Sequence, residues 1–348
     1  MNLKKLKKSF GLIFIVLSAI FMLIILFKND DLVNLFKVIN KININYIIIA
    51  FLYIFIFWFL EAAMIYALII KFTDHKRNWN TFWLAVKVTM IGQYYSNITP
   101  MATGGQPVQL YILKDDNISL SNGTAILISK FLLFQIGITI YSFCLAVYKV
   151  KLLINYYNGA SAFIVAGLTL NMIMLGTIIL IAFNQQVLLK ICGTLFNLLY
   201  RVHIIKDVKK VMNKTENFIS EYKESIGKLK EDYWFTIKMY AITFIQLTVF
   251  FSTTFFVYKS LNLNESNILD IICLQSFLYM AVSFIPTPGT AGASEVGFML
   301  LLGHLFPSNI LSTAMLLWRG ISYYFSLIFS GIFSFTVTAL GKKNILIS

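Results

Sequence analysis

Charge is what this sequence most lacks. Of 348 residues only 13% are Asp, Glu, Lys or Arg, roughly half the ~25% of a soluble domain, which excludes a chain folded wholly in water. Acidic residues are the scarcer kind, 15 against 29 Lys and Arg, for a net charge of +14. In a soluble protein that balance would point to nucleic acid. Here the basic residues lie between apolar runs, with no basic stripe interleaved with aromatics, so they read as orientation signals and lipid-head contacts, and nucleic acid is not expected as a partner. Cysteine and histidine are few. Cys144, Cys192 and Cys273 lack the paired spacing of a disulfide or redox site, and His75, His203 and His304 are equally scattered, so no metal cluster is expected. Neither an ATP-binding glycine loop nor a Ser or Cys nucleophile with a base nearby is present. No catalytic residue, metal or cofactor is expected.

What is abundant is apolar length. The chain is 58% hydrophobic and 16% aromatic, and its runs at 10–27, 46–70 and 235–258 reach or exceed the ~18 residues that mark a membrane helix. With 122–148, 160–183 and 310–340 they predict about six full spans in an all-α polytopic membrane protein, one transmembrane domain over residues 1–348. No small-residue cleavage site follows Phe27, so the first run is expected to stay as a helix. Lys4, Lys5, Lys7 and Lys8 place the N-terminus in the cytoplasm, and counting spans brings the C-terminus there too. Residues 184–234 are expected to form a cytoplasmic basic loop. Its Val208, Val211, Ile219, Tyr222, Ile226, Leu229 and Tyr233 recur at helical spacing, which fits either an amphipathic helix on the inner leaflet or a solvated connector.

Two further apolar segments are interrupted. Residues 81–113 are broken by Asn97-Ile98-Thr99-Pro100 and Thr103-Gly104-Gly105-Gln106-Pro107, and 267–306 by Pro286-Thr287-Pro288-Gly289-Thr290-Ala291-Gly292. Proline removes a backbone donor and crowds the preceding turn, and paired glycines favour an open turn, so each segment is predicted to be a re-entrant or broken helical hairpin. Irregular backbone is tolerated at membrane depth only where protein buries it or a wet cavity adjoins it. Both breaks share the pattern Thr-Pro-x-x-x-Gly, at Thr99–Gly104 and Thr287–Gly292. With entry from opposite sides, this suggests an inverted repeat whose discontinuous helices frame a substrate site near the midplane.

An ionisable group inside a span is costly unless paired or hydrated, so each is a site candidate: Glu61, Lys130, Glu295 and Arg319. Two acids and two bases could pair. Glu295 follows Gly292 at the start of a half-helix, as a cap, as a cavity-lining group, or as both. Arg319 can hold phosphate bidentately or form a structural pair with Glu295 or Glu61. The amides after Gly104 and Gly292 could bind phosphate. Gln93, Asn97, Gln106, Gln109 and Gln135 offer neutral polar groups, for head groups or for bonds across helices. Thr103, Gly105 and Pro288 belong to the breaks themselves, and Tyr323 with Tyr324 could line the cavity or anchor an interface.

The stretch Gly92-Gln93-Tyr94-Tyr95-Ser96-Asn97-Ile98-Thr99-Pro100 running into Thr103-Gly104-Gly105-Gln106-Pro107-Val108-Gln109 resembles the flippase-like membrane region of the lysyl-phosphatidylglycerol synthases, the multiple peptide resistance factor family. Pro286-Thr287-Pro288-Gly289, Gly292, Glu295, Trp318-Arg319 and Tyr323-Tyr324 resemble its second half. In that family a soluble aminoacyl-transferase domain follows the membrane region, which moves the lysinylated lipid between leaflets. This chain ends at Ser348, so the resemblance implies a stand-alone membrane module without the transferase.

The leading expectation is a translocase of the bacterial cytoplasmic membrane, its partners membrane lipids: an anionic or lysyl-modified phospholipid, or a polyprenyl-phosphate lipid. The first alternative is a phosphatidylglycerol lysyltransferase or membrane subunit of a lipid-modifying enzyme, whose separate soluble transferase would dock on the basic loop. A small-solute transporter is the second. Each would be compatible with an oligomer.

Overall fold

The computed structural model describes residues 40–149, 232–283 and 285–345 together with scattered positions from 169 to 231. The predicted spans 10–27 and 160–183, and the helical pattern in 184–234, lie outside or largely outside the described residues.

Among the described residues every regular element is helical. The order is α1 (Ile44–Phe72), α2 (Trp79–Asn97), α3 (Gly105–Asp115), α4 (Leu120–Tyr148), α5 (Tyr233–Ser260), α6 (Ile268–Val282), α7 (Ala293–Leu302), α8 (Leu311–Arg319) and α9 (Ser326–Ile345). A π turn, Gly320–Phe325, joins α8 to α9, so Leu311–Ala339 forms one interrupted span. With α1, α4 and α5 it makes 4 helical stretches, among the described residues, long and apolar enough to cross a bilayer. Short polar side chains set the starts. Asn43, Asn78, Ser119, Asp232 and Asn267 each accept a bond from a backbone N–H in the first turn of α1, α2, α4, α5 and α6, satisfying donors that have no partner within the helix.

α1 and α5 pack side by side in opposite directions. At one end Lys71 Nζ meets Asp232 Oδ2 at 2.6 Å; at the other the Asn43 N–H donates to Ser260 O at 2.8 Å and Asn262 Nδ2 to Lys41 O at 2.9 Å. Each of these helices opens the same sequence of events: a long helix, a short one, a break, a shorter one, then a long span. Their antiparallel packing makes the repeat inverted, as the two Thr-Pro-x-x-x-Gly breaks suggested. The first hairpin, α2 to α3, starts and ends at the Lys71 end, where His75 Nε2 of the α1–α2 loop lies 3.8 Å from Asp116 Oδ2 beyond α3. The second, α6 to α7, starts and ends at the opposite pole, where Phe306 packs on Tyr258 at 5.5 Å between ring centroids. Exchange completes the symmetry: α2 lies along α9, and α6 along α4.

The two hairpins meet tip to tip through an antiparallel backbone bridge, Pro100 to Pro288. Both tips are wound tightly. Met101, Ala102 and Thr290 take positive φ of 52°, 55° and 55°, beside Gly289 at 58° and Gly292 at 85°; non-glycine residues there store on the order of 1–3 kcal/mol each. One apolar cluster forms under the first hairpin, around Met64, Leu68, Leu84, Val88, Leu113 and Ile126. A second forms under the other hairpin, around Trp58, Leu274, Phe277, Phe298, Leu301 and Trp318. Large apolar side chains such as Phe59, Phe143, Ile245 and Ile332 point outward, as a lipid-facing surface requires.

Candidate functional site

Between the two apolar clusters lies a cavity of ≈ 400 Å³. Seven of its walls come from α1 (Trp58, Glu61), α2 (Gln93, Asn97), the first tip with α3 (Ala102, Gln106), α4 (Lys130, Gln135), α5 (Gln246), α6 (Gln275, Tyr279) and the second tip (Gly289, Thr290), and the floor from Arg319, Ser322 and Tyr323. On α1 the switch from cluster to cavity to cluster takes two turns, from Trp58 through Glu61 to Met64. So many polar side chains amid apolar helices set this cavity apart from the two apolar clusters.

The four intramembrane charges sort into two pairs of different character. Arg319 Nε donates to Glu295 Oε1 at 2.7 Å, and its Nη2 donates to Gly289 O at 2.6 Å. The guanidinium lies over the Tyr323 ring, 4.6 Å from its centroid, and Tyr323 Oη donates to Asn97 O at 3.1 Å. Glu295 Oε2 accepts the Gly292 N–H at 2.6 Å, closing the α7 cap. This set ties the second tip, the π turn and the end of α2 into one unit. The sequence left two readings of Arg319 and of Glu295 open. In the structure Arg319 is paired with Glu295, and Glu295 is both its partner and the helix cap.

The second pair is simpler: Lys130 Nζ donates to Glu61 Oε1, joining α4 to α1. Lys130 keeps 20% of its side chain exposed against 6% for Arg319, so it is the more accessible cation.

Other predicted residues divide by position. Gln93, Asn97, Gln106, Gln109 and Gln135 reach the cavity wall. Gln109 is partly committed, since its Nε2 donates to Val88 O at 3.2 Å, and Gln135 donates to Asn171. Thr103, Gly104, Gly105, Pro288 and Gly292 do not line the cavity; they build the tips. The Gly104 N–H donates to Thr99 Oγ1 at 2.8 Å and the Gly105 N–H to Ala102 O at 3.3 Å. With the Gly292 N–H held by Glu295, the Gly104, Gly105 and Gly292 amides are all bonded within the turns. Gly105 serves instead for close approach: a Cβ there would sit 2.0 Å from Ser96 Oγ, so glycine is what lets α3 begin against α2.

Gln246 and Gln275 were missed from the sequence. Both are lone amides inside apolar helices, buried at 2% and 3% exposure, and the signal that could have found them is that a neutral polar group at such a position also needs a partner. Gln275 Oε1 and Asn97 Nδ2 have no hydrogen-bond partner, although both residues face the cavity. An unpaired buried acceptor on α6 and an unpaired buried donor at the end of α2 are each costly.

The profile of the lysylphosphatidylglycerol synthase transmembrane region matches residues 10–330. A "UPF0104 membrane protein" of Archaeoglobus fulgidus is 26% identical over 331 residues, covering 91% of this chain and 94% of that protein. No solved structure matches. A multi-pass helical body, two broken hairpins facing each other and that match over most of the length lead to one assignment: the chain belongs to the lysylphosphatidylglycerol synthase transmembrane-region family.

Proposed function

We propose that the protein moves a phosphate-bearing lipid between the leaflets of its membrane, with the headgroup passing through the central cavity and the acyl chains remaining in the bilayer. The observation that carries this reading is the polar chamber of ≈ 400 Å³ where two oppositely inserted hairpins touch. That volume falls within the roughly 300–1,000 Å³ of small-molecule sites, and discontinuous helices meeting near the midplane are how alternating access is built in transporters. The family's name supports a lipid as cargo.

In this reading the membrane is the bacterial cytoplasmic one, with Lys71, Lys76 and Arg77 at the cytoplasmic pole and the second hairpin entering from outside. The transport assay is scrambling of fluorescent-tailed phospholipids in proteoliposomes, read by quenching from outside. Purified protein should raise the quenched fraction above the outer-leaflet half within minutes; a fraction unchanged from empty vesicles rejects the reading. A second reading, a membrane subunit serving a lipid-modifying enzyme, rests on the same family name. It expects a soluble transferase to co-purify with the chain and lipid modification to stop in a deletion strain.

A further inference from the structure

Arg319 cannot easily serve as the headgroup's phosphate ligand. Its guanidinium is bonded on two sides, to Glu295 and to Gly289 O, and covered by Tyr323; freeing it would strand Glu295, which is 2% exposed, and dismantle the second tip. The Glu61–Lys130 pair has no such scaffolding. Among the described residues the recorded bond of each charged group is to the other, across two different helices. Its separation disturbs no turn.

Charge bookkeeping in the cavity points the same way. Among the described residues its charges are Glu61, Lys130 and Arg319, with Glu295 behind Arg319, for a net of zero. In a site surrounded by apolar helices, a headgroup with net charge would leave an uncompensated ion at a depth where ions are expensive. A zwitterion would not.

Resting on the translocation reading above, we infer that the Glu61–Lys130 pair is the headgroup site and that it takes a headgroup of zero net charge, one phosphate and one ammonium. Binding is partner exchange. Lys130 leaves Glu61 for the phosphate and Glu61 takes the ammonium, so two ion pairs replace one and the charge in the cavity stays balanced. Anionic headgroups, which would leave Glu61 without a partner, and net cationic ones are disfavoured.

The test compares initial scrambling rates of three fluorescent lipids with identical chains: phosphatidylethanolamine, phosphatidylglycerol and its lysyl ester, which are zwitterionic, anionic and net cationic. Wild type should move the zwitterion at least about tenfold faster than either, the ratio expected for little more than 1.4 kcal/mol. Glu61→Gln leaves Lys130 in excess and should swing the preference towards phosphatidylglycerol; Lys130→Met should swing it towards the lysyl ester. Opposite swings from two neutralised partners are not what misfolding produces. Equal rates for all three lipids in wild type, or an unchanged preference in both variants, would overturn the inference. Should no lipid move, translocation itself fails, and calorimetry of the detergent-solubilised protein with glycerophosphoethanolamine and glycerophosphoglycerol decides the headgroup question: tighter binding of the former sustains it, equal or reversed binding rejects it.

Discussion

Arg319 and Glu295 hold three parts of the molecule together with groups 24 positions apart in the chain, and Glu61 meets Lys130 across 69. Each of the four was legible as a side chain that needs a partner, because an ionisable group inside an apolar run has to be explained. Which acid meets which base was not legible, since sequence periodicity says nothing about the faces of different helices. Nor did glycine-rich spelling reveal that the turn amides bond inward, to Thr99, Ala102 and Glu295. The two pairs should respond differently to removal. Glu295→Ala leaves a buried guanidinium and an open α7 cap, and truncation of one partner in a buried pair costs on the order of 3–5 kcal/mol. Thermal unfolding in detergent should therefore fall steeply for Glu295→Ala, whereas Lys130→Met, whose partner borders the cavity and caps no helix, should lose far less. Equal losses would contradict the division into a fixed pair and an exchangeable one.

Helices and breaks were readable where their chemistry is local. The pattern placed the first hairpin at 81–113 and the second at 267–306; the observed arms are Trp79–Asn97 with Gly105–Asp115, and Ile268–Val282 with Ala293–Leu302. Caps at Asn78, Asp232 and Asn267 explain where the helices begin. The π turn at Gly320–Phe325 had no such signal, because its extra residue per turn is set by packing of Tyr323 against the opposing tip. Gly289 is the residue that tip cannot spare. With φ at 58° and a hypothetical Cβ 2.0 Å from the Tyr323 ring, Gly289→Ala combines backbone strain with a clash. It should cost about 1–3 kcal/mol in unfolding measurements, and Tyr323→Ala should recover part of that loss by removing the clash.

At the two poles, ion pairs outside the spans latch neighbouring elements, and they answer to opposite extremes of pH. The Lys71 side chain, with help from the Phe235 N–H, holds the Asp232 carboxyl below its ordinary value. Its contribution is present above the ordinary carboxylate value, near 4, and is lost as pH falls through the lowered folded value. Lys149 is bonded to Asp270 at the other pole, which raises its ammonium above the ordinary lysine value. That contribution is present below about 10.4 and is lost as pH rises through the folded value. Acid should therefore loosen the α1–α5 end first and alkali the α4–α6 end, with Asp232→Asn and Lys149→Met each flattening one limb of the stability profile.

Across the whole molecule, the antiparallel α1 and α5, the exchanged packing of α2 on α9 and of α6 on α4, and the bridge between tips describe two inverted halves packed about the cavity. Inversion was suggested by a six-residue pattern and opposite entry; only the ends of α1 and α5, matched through Lys71–Asp232 and Asn43–Ser260, make it geometric. If the tips separate as the cavity changes sides, tying them together must stop transport without removing the cavity. The most direct measurement is scrambling by a Pro100→Cys, Pro288→Cys variant before and after reduction, the backbone bridge placing the two positions within disulfide range. The account predicts little scrambling when the variant is oxidised and recovery on adding reductant. Wild-type rates in the fully crosslinked protein would contradict it.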